Sequence, residues 1–424
     1  MVDARQLAVV LVPALAAILI TAGERLLLQR PSHFAPNAWL RPPPLPKPWV
    51  HTNALSFAER LSWNGTALAP ECFAEGANGT LLATVAFGAV LRAPVDPTSP
   101  SVPVFFTPAA VDNFRGPLEQ HHMYAWCQTQ AAAKNTSAEG KCGRPLGIRV
   151  KGARLYVADA YFGVFAATLD AATLDGNATS SEWLVRTDSV SPALRFVNDL
   201  DVASDGKLFF TDSSFMHSRR DNRLLVFDNP PAARLLVLRP GAAKPELVLT
   251  GGYFLNGVQL LPDESAVVVV ELGRLRLLRC RLPLAPGATC EPEVFADNLP
   301  GVPDNVRLSR DGKSLLVGCA TPAASPFSLL RFLWTHQRAA RLLGVLLSLM
   351  PRERALAALE ARVPVGGLVL RLALDGTPIA ALHDPAGRVP LISHAHEAAD
   401  GSLWLGSASN AFAARVPQPA WPQK

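Results

Sequence analysis

The stretch Leu194-Arg195-Phe196-Val197-Asn198-Asp199-Leu200-Asp201-Val202-Ala203-Ser204-Asp205-Gly206-Lys207-Leu208-Phe209-Phe210-Thr211-Asp212 decides how this chain is read. Asn198 follows an apolar residue and heads a short apolar strand. Asp205-Gly206 then supplies a tight turn, and a second β-rich run ends in Asp212. The pattern returns at Phe254-Leu255-Asn256-Gly257-Val258-Gln259-Leu260-Leu261-Pro262-Asp263-Glu264 and at Val302-Pro303-Asp304-Asn305-Val306-Arg307-Leu308-Ser309-Arg310-Asp311-Gly312. The head residue moves from Asn198 to Asn256, 58 positions on, and from there to Asp304, 48 further. One hairpin core per roughly fifty residues is how a β-propeller looks from sequence. Each copy would deliver one oxygen donor to a shared axis.

Composition agrees. The 424 residues are 49% hydrophobic and 18% charged, enough for a large core, and 37 prolines with 29 glycines suit a loop-rich β protein. The net charge of +5 comes from 40 basic and 35 acidic residues that are interspersed. No basic stripe with interleaved aromatics occurs, so nucleic acid is not an expected partner. Four sequons, at Asn64, Asn78, Asn135 and Asn177, precede residue 180 and point to the secretory pathway. The six cysteines fit that compartment. Cys127 and Cys142 bracket a polar insert and Cys280 and Cys290 lie ten apart, so each pair could bridge a loop, while Cys72 and Cys319 sit in apolar contexts and are expected to be free and buried.

Leu7 to Ala22 is apolar apart from Thr21, preceded by Arg5 and followed by Glu24-Arg25. A cleaved signal peptide ending near Ala22 and an uncleaved signal anchor both match. Ile20 is bulky where a signal peptidase site prefers a small residue, so the anchor is the expectation. The predicted order is a cytosolic tail (1–5), a transmembrane helix (6–22), a Pro-rich linker (23–50), a propeller (51–416) and a short tail (417–424). This gives a single-pass type II protein of the plasma membrane or endoplasmic reticulum, with the propeller luminal or extracellular.

Strands are expected at Leu81–Phe87, Arg154–Asp159, Leu224–Phe227, Ala266–Glu271, Leu315–Gly318 and Ser402–Gly406, with hairpin turns at Asp205-Gly206, Asp311-Gly312 and Asp400-Gly401. Over 326–362 the apolar spacing becomes helical, with Leu329, Leu330, Leu333, Leu342, Leu343, Leu346 and Leu347 opposite several arginines. This predicts a helical insertion between the last two blades. It would be a lid, a bilayer-facing helix or a helix packed on the outside of a blade.

A family resemblance rests on several motifs. They are Cys142-Gly143-Arg144-Pro145-Leu146-Gly147-Ile148-Arg149, Val157-Ala158-Asp159-Ala160-Tyr161, Asn198-Asp199-Leu200-Asp201, Phe254-Leu255-Asn256-Gly257-Val258 and Asn298-Leu299-Pro300-Gly301-Val302-Pro303-Asp304-Asn305. With His396-Glu397 and Leu405-Gly406-Ser407, this ordered set over roughly residues 60–416 resembles the adipocyte plasma membrane-associated branch of the strictosidine synthase-like proteins. The resemblance implies a six-bladed propeller distantly similar to paraoxonases and calcium-dependent lactonases. It carries a calcium-ligand series onto Glu71, Asn198, Asn256, Asp304 and Asn305. Glu71 lies in Ala-Pro-Glu-Cys, where the family usually has Gly-Pro-Glu-Ser.

The residue types suit that ion. Ca²⁺ takes six to eight oxygens, and two carboxylates with amide oxygens balance its charge. The expected activity is hydrolysis of a small-molecule aryl ester or lactone, with the ion polarising the carbonyl. His396 and Glu397 are carried as acid/base residues. His394 shares the alternating face with His396, and a His-x-His metal site competes with the expected reading of two solvent-facing histidines. Alternatives are a calcium-stabilised binding or adhesion propeller and a strictosidine synthase-like condensing enzyme. No Gly-x-Ser-x-Gly elbow, phosphate loop, dinucleotide fingerprint or Cys-x-x-Cys pair is present.

Overall fold

In this computed structural model the described residues are 49, 52–76, 79–94, 96, 99, 101–111, 117–133, 135–169, 180–322, 336, 343, 354 and 366–422. The expected anchor at 6–22 lies outside them, and so does most of the expected linker. Trp49, near the linker's end, is buried in the cluster that holds Phe196 and Phe254. Among the described residues no helix is long and apolar enough to cross a membrane.

The strands form six four-stranded antiparallel sheets. After β1 (Glu59–Leu61), blade one is β2 (Phe73–Glu75), β3 (Leu81–Thr84), β4 (Ala89–Arg92) and β5 (Val102–Phe106). Blade two is β6 (Pro145–Lys151), β7 (Arg154–Asp159), β8 (Gly163–Thr168) and β9 (Ser180–Arg186). Blade three is β10 (Val197–Val202), β11 (Leu208–Asp212), β12 (Ala233–Leu238) and β13 (Glu246–Gly252). Blade four is β14 (Leu255–Leu260), β15 (Ala266–Glu271), β16 (Arg276–Arg281) and β17 (Glu293–Ala296). Blade five is β18 (Gly301–Leu308), β19 (Ser314–Pro322), β20 (Gly367–Ala373) and β21 (Pro378–Asp384). Blade six is β22 (His394–Glu397), β23 (Leu403–Gly406) and β24 (Ala413–Val416), completed by β1 as its outermost strand. Glu59 pairs with Arg415 and Leu61 with Ala413, so the first strand of the chain closes the ring on the last.

Inner strands are apolar because blades pack face to face. Every residue of β10, β11, β14 and β15 is buried, whereas outer strands such as β13 and β17 mix buried and exposed residues. Asp205-Gly206, Asp311-Gly312 and Asp400-Gly401 are hairpin turns as expected, each glycine at positive φ and each aspartate accepting the backbone N–H two residues on. Acids that end second strands tie down a neighbouring loop. Asp159 accepts from the N–H groups of Tyr161 and Phe162, and Asp212 from those of Arg195 and Phe196.

Two expectations change. Leu224–Phe227 is not a strand but lies in helix α1 (Asn222–Asp228), inside the long connection from β11 to β12. A short apolar run does not distinguish the two states. The flanking Asn229 ends the helix in the left-handed region, its N–H bonded to the Leu225 carbonyl, and Leu225 is buried while Leu224 is exposed. The expected helical segment 326–362 falls between β19 and β20, within blade five rather than between the last two blades. Apart from residues 336, 343 and 354 it lies outside the described residues.

Cys127–Cys142 and Cys280–Cys290 are disulfides, and Cys72 and Cys319 are free and buried. The first bridge joins the helix Pro117–Ala132 to the chain just before Gly143-Arg144.

Ring closure by three short pairs makes β1 sensitive. Leu61 is 2% exposed, and Leu61→Ala is expected to cost about 2–5 kcal/mol. Denaturant unfolding followed by tryptophan fluorescence measures it; a loss below about 1 kcal/mol would show that the closure contributes little.

Candidate metal centre

Four innermost strands share one irregularity. The register of β6, β10, β14 and β18 slips between Pro145 and Ile148, Val197 and Leu200, Leu255 and Val258, and Pro303 and Val306. A bulge leaves extra residues unpaired and re-aims their side chains. Those residues are Leu146-Gly147, Asn198-Asp199, Asn256-Gly257 and Asp304-Asn305. The bulge is therefore what turns the head residue of each repeat into the channel. Glycine is required where neighbouring backbones touch: a Cβ on Gly257 would lie 2.6 Å from Asn305 Cα, and one on Gly147 would lie 2.7 Å from Asp199 Cα.

The oxygens of this layer lack partners. Asn198 Oδ1, Asn256 Oδ1, Asp304 Oδ1 and Asn305 Oδ1 are all buried with no hydrogen bond. Asn198 is oriented by its own amide, which donates to Ser213 Oγ at 2.9 Å, and Ser213 in turn donates to the Leu255 carbonyl. Glu71, 3% exposed, accepts from Arg144 at 2.9 Å. Burial pushes the Glu71 carboxyl above its ordinary range, against the pull of Arg144 and Arg219. Burial, and then the Glu71 charge, hold Asp304 well above it, although Ser393 and Asn256 donate to that carboxylate.

Several orphaned buried acceptors of one kind need an explanation, and a hard cation supplies it. Among the described residues no three His, Cys, Asp or Glu side chains group to hold a metal, so the fit depends on amide oxygens. Glu71, Asn198, Asn256, Asp304 and Asn305 match the donor set and charge that Ca²⁺ prefers.

Beneath this layer lies a plug. Asp199 binds Arg307 through both oxygens at 2.7 and 2.9 Å, approaches Arg149 at 3.4 Å and accepts the Val258 N–H at 2.8 Å. Burial alone would raise the Asp199 pKa, but the two guanidiniums outweigh it and hold the carboxyl below the usual range. Arg307 also reaches Cys72 Sγ at 3.1 Å, and Arg149 donates to the Val258 carbonyl at 2.8 Å. Sequence reading missed Asp199, Arg149 and Arg307. The available signal for the two arginines was a matching offset: Arg149, Asp201, Gln259 and Arg307 each stand three positions after the first bulge residue, whereas Asp199 is itself the second bulge residue.

His394 and His396 face inward rather than toward solvent, with ring centroids 6.3 Å apart and His394 fully buried. Burial and then Arg307 keep His394 neutral, and the same causes lower His396 to about 4. Ser393 borders Asp304, whereas His396 stands three residues further along the strand, about 10 Å deeper. Glu397 is bound by Arg371 at 2.7 Å and by the Arg310 N–H at 3.0 Å, as a strut to blade five. Neither lies at the oxygen layer.

Above the layer, Glu139 accepts from the Tyr161 hydroxyl at 2.8 Å and pairs with Arg219 at 3.4 Å. Arg144 donates to the carbonyls of Ala69 and Ala408 as well as to Glu71. Sequence reading missed Glu139 and Arg219, which come from connections between strands with no motif to mark them. Asn64 and Asn135 are exposed, while Asn78 and Asn177 lie outside the described residues.

Comparison with known proteins follows the same lines. The strictosidine synthase family matches residues 198–282. An adipocyte plasma membrane-associated protein of Rattus norvegicus is 38% identical over 288 residues, 67% of this chain and 72% of that one. The Gallus gallus protein of the same name is 36% identical over 66% of this chain, and the match spans 64% of the relative's length. A strictosidine synthase-like protein of Arabidopsis thaliana is 30% identical over 68% of this chain and 64% of its own. Among solved structures, a gluconolactonase from Xanthomonas campestris superposes with a TM-score of 0.51 at 17% identity, over 87% of this chain and 92% of that one. A calcium-binding regucalcin from Agrobacterium tumefaciens gives 0.50 at 13% identity, over 87% and 98%. At those identities the likeness concerns the propeller fold.

Asp159, fully buried beside Gly143, provides a pH test. Burial raises its pKa to about 6 despite the N–H groups of Tyr161 and Phe162. A raised carboxylate contributes stability that is full below the unfolded value near 4 and is lost as pH rises through about 6. Wild type should therefore lose on the order of 3 kcal/mol more than Asp159→Asn between pH 4 and 7. Parallel pH-dependent melts would refute this if the two profiles run together.

Proposed function

The chain belongs to the family of adipocyte plasma membrane-associated proteins, and on that premise we propose a calcium-dependent hydrolase of the arylesterase or lactonase type. The observation that carries the proposal is the set of four orphaned oxygens at equivalent bulges, joined by Glu71. Bound there, Ca²⁺ would polarise an ester carbonyl and favour the oxyanion formed from it. Asn198, Asn256, Asp304, Asn305 and Glu71 hold the ion in this reading. Ser213 and Arg144 fix the orientation of Asn198 and Glu71.

Glu139 is the carboxylate that borders the ligand set without belonging to it. We assign it the proton from the attacking water, with Tyr161 holding its second oxygen in place. His396 and Glu397 take no part at the oxygen layer in this proposal, for the reasons of depth and ion pairing given above. The relatives' name supports membrane association, which we assign to a type II anchor at 6–22 with the propeller luminal or extracellular and, on its sequons, glycosylated at Asn64, Asn78, Asn135 and Asn177. A second reading, a calcium-pinned propeller used for binding, is favoured by the Arg149–Asp199–Arg307 plug, which makes the channel a rigid strut.

Purified full-length protein should cleave a phenyl ester, lose that activity in chelator, and regain it with Ca²⁺. Asn256→Ala should weaken calcium binding by at least about tenfold, and Glu139→Gln should lower kcat by about 10²–10⁴-fold while calorimetric calcium binding is kept. Turnover that persists in chelator would end the calcium mechanism. Calcium raising Tm without turnover on a broad ester panel would leave the binding reading.

A further inference from the structure

The rim above the oxygen layer sets two buried guanidiniums among its carboxylates. Glu71, Asp304 and Glu139 are three buried carboxylates there, and Arg144 and Arg219 are two buried guanidiniums. Ionised, and counted together with buried Asp159, which accepts the Arg144 backbone N–H, the set carries two negative charges, which a dication balances. Below it, Asp199 and Asp201 are balanced by Arg149 and Arg307 and add nothing.

The two arginines are not equivalent. Arg144 is fully buried and committed to Glu71 at 2.9 Å and to the Ala69 carbonyl through two nitrogens at 3.2 Å. Arg219 reaches in from the connection after β11, and its side chain is 11% exposed. Its bonds to Glu139 Oε1 and to the Ala408 carbonyl are both 3.4 Å, at the weak end of the range. Burial alone would lower its pKa, but Glu139, Glu71, Tyr161 and Asp304 around it outweigh this and keep it charged. The same neighbours place it over the oxygen layer. A planar fork with two long bonds, partly reachable from outside, is suited to receive a carboxylate through two N–H groups.

We propose that Arg219 is a specificity residue and that the natural substrate is an ester or lactone carrying a separate carboxylate, which Arg219 receives. This rests on the calcium reading above and extends it to the substrate class. Succinanilate, an amide mimic of such an ester, and N-phenylbutyramide, its neutral counterpart, serve as non-reacting probes. Calorimetry on the calcium-loaded full-length protein should show succinanilate bound at least about tenfold more tightly, falling with added salt. Arg219→Gln should bring the two probes within about twofold while calcium is still bound, and Arg219→Lys should keep only part of the preference. Should Arg219→Gln fail to fold, the Lys variant alone must still reduce the preference several-fold. Equal binding of the probes by wild type, no binding of either, or a preference that survives in the variants overturns the proposal. Repeating the series in chelator separates the two readings. If calcium does not bind and yet succinanilate is preferred through Arg219, anion selection stands and the calcium mechanism falls. If calcium binds and the probes are equal, the reverse holds.

Discussion

Each innermost strand of this propeller has a sheet partner on one side only. On the channel side its N–H and C=O groups face the neighbouring blade's innermost strand, which does not pair with it, and buried backbone groups must find partners. Side chains meet that demand. Asp199 accepts the Val258 N–H, Asp201 the Leu260 N–H and Gln259 the Leu308 N–H, stapling blade three to four and four to five. Thr84 and Thr211 donate to the Leu146 and Asn256 carbonyls in the same manner. Asp199 then needs charge compensation, which Arg307 supplies from blade five and Arg149 from blade two. Removing one partner of such a buried pair costs about 3–5 kcal/mol, because the other is left charged in a poor solvent. The channel is closed at mid-depth because its walls need the plug.

That plug gives the oxygen layer its character. With the positive charge of Arg149 and Arg307 matched by Asp199 and Asp201, little compensation remains for Glu71 and Asp304. Burial raises both, the Glu71 charge adds to the rise at Asp304, and Asp199 and Glu139 add to the rise at Glu71. The layer is rich in acceptors and poor in donors, the state that a bound cation relieves. The disulfide Cys127–Cys142 adds rigidity, since it fixes the chain immediately before Arg144 and so the partner of Glu71.

The propeller was legible because its repeat writes itself into the sequence: apolar strand, Asp-Gly turn, apolar strand. Ala266–Glu271 and Arg154–Asp159 coincide with β15 and β7 to the residue. The bringing together of Asn198, Asn256 and Asp304 followed from their shared place in that repeat. Leu224–Phe227 went the other way because four apolar residues fit a helix or a strand, and the left-handed Asn229 that settles it is a local conformation. Arg219 and Glu139 were invisible for a different reason. They reach the rim from non-repeating connections, where no periodicity ties position to place. The inward turn of His394 and His396 depends on β22 having no bulge, a register property unreadable from one strand alone.

The pairing of β1 with β24 also sets an order in time. During synthesis Leu61 leaves the ribosome early and Ala413, its partner, some 350 residues later. Blades one to five hold all their strands contiguously and can assemble as they emerge, whereas the sixth waits for β24. Until then the nascent ring has two open edges, an invitation to chaperones and a hazard for mispairing. Emergence of β24, rather than any earlier event, is what allows the ring to close.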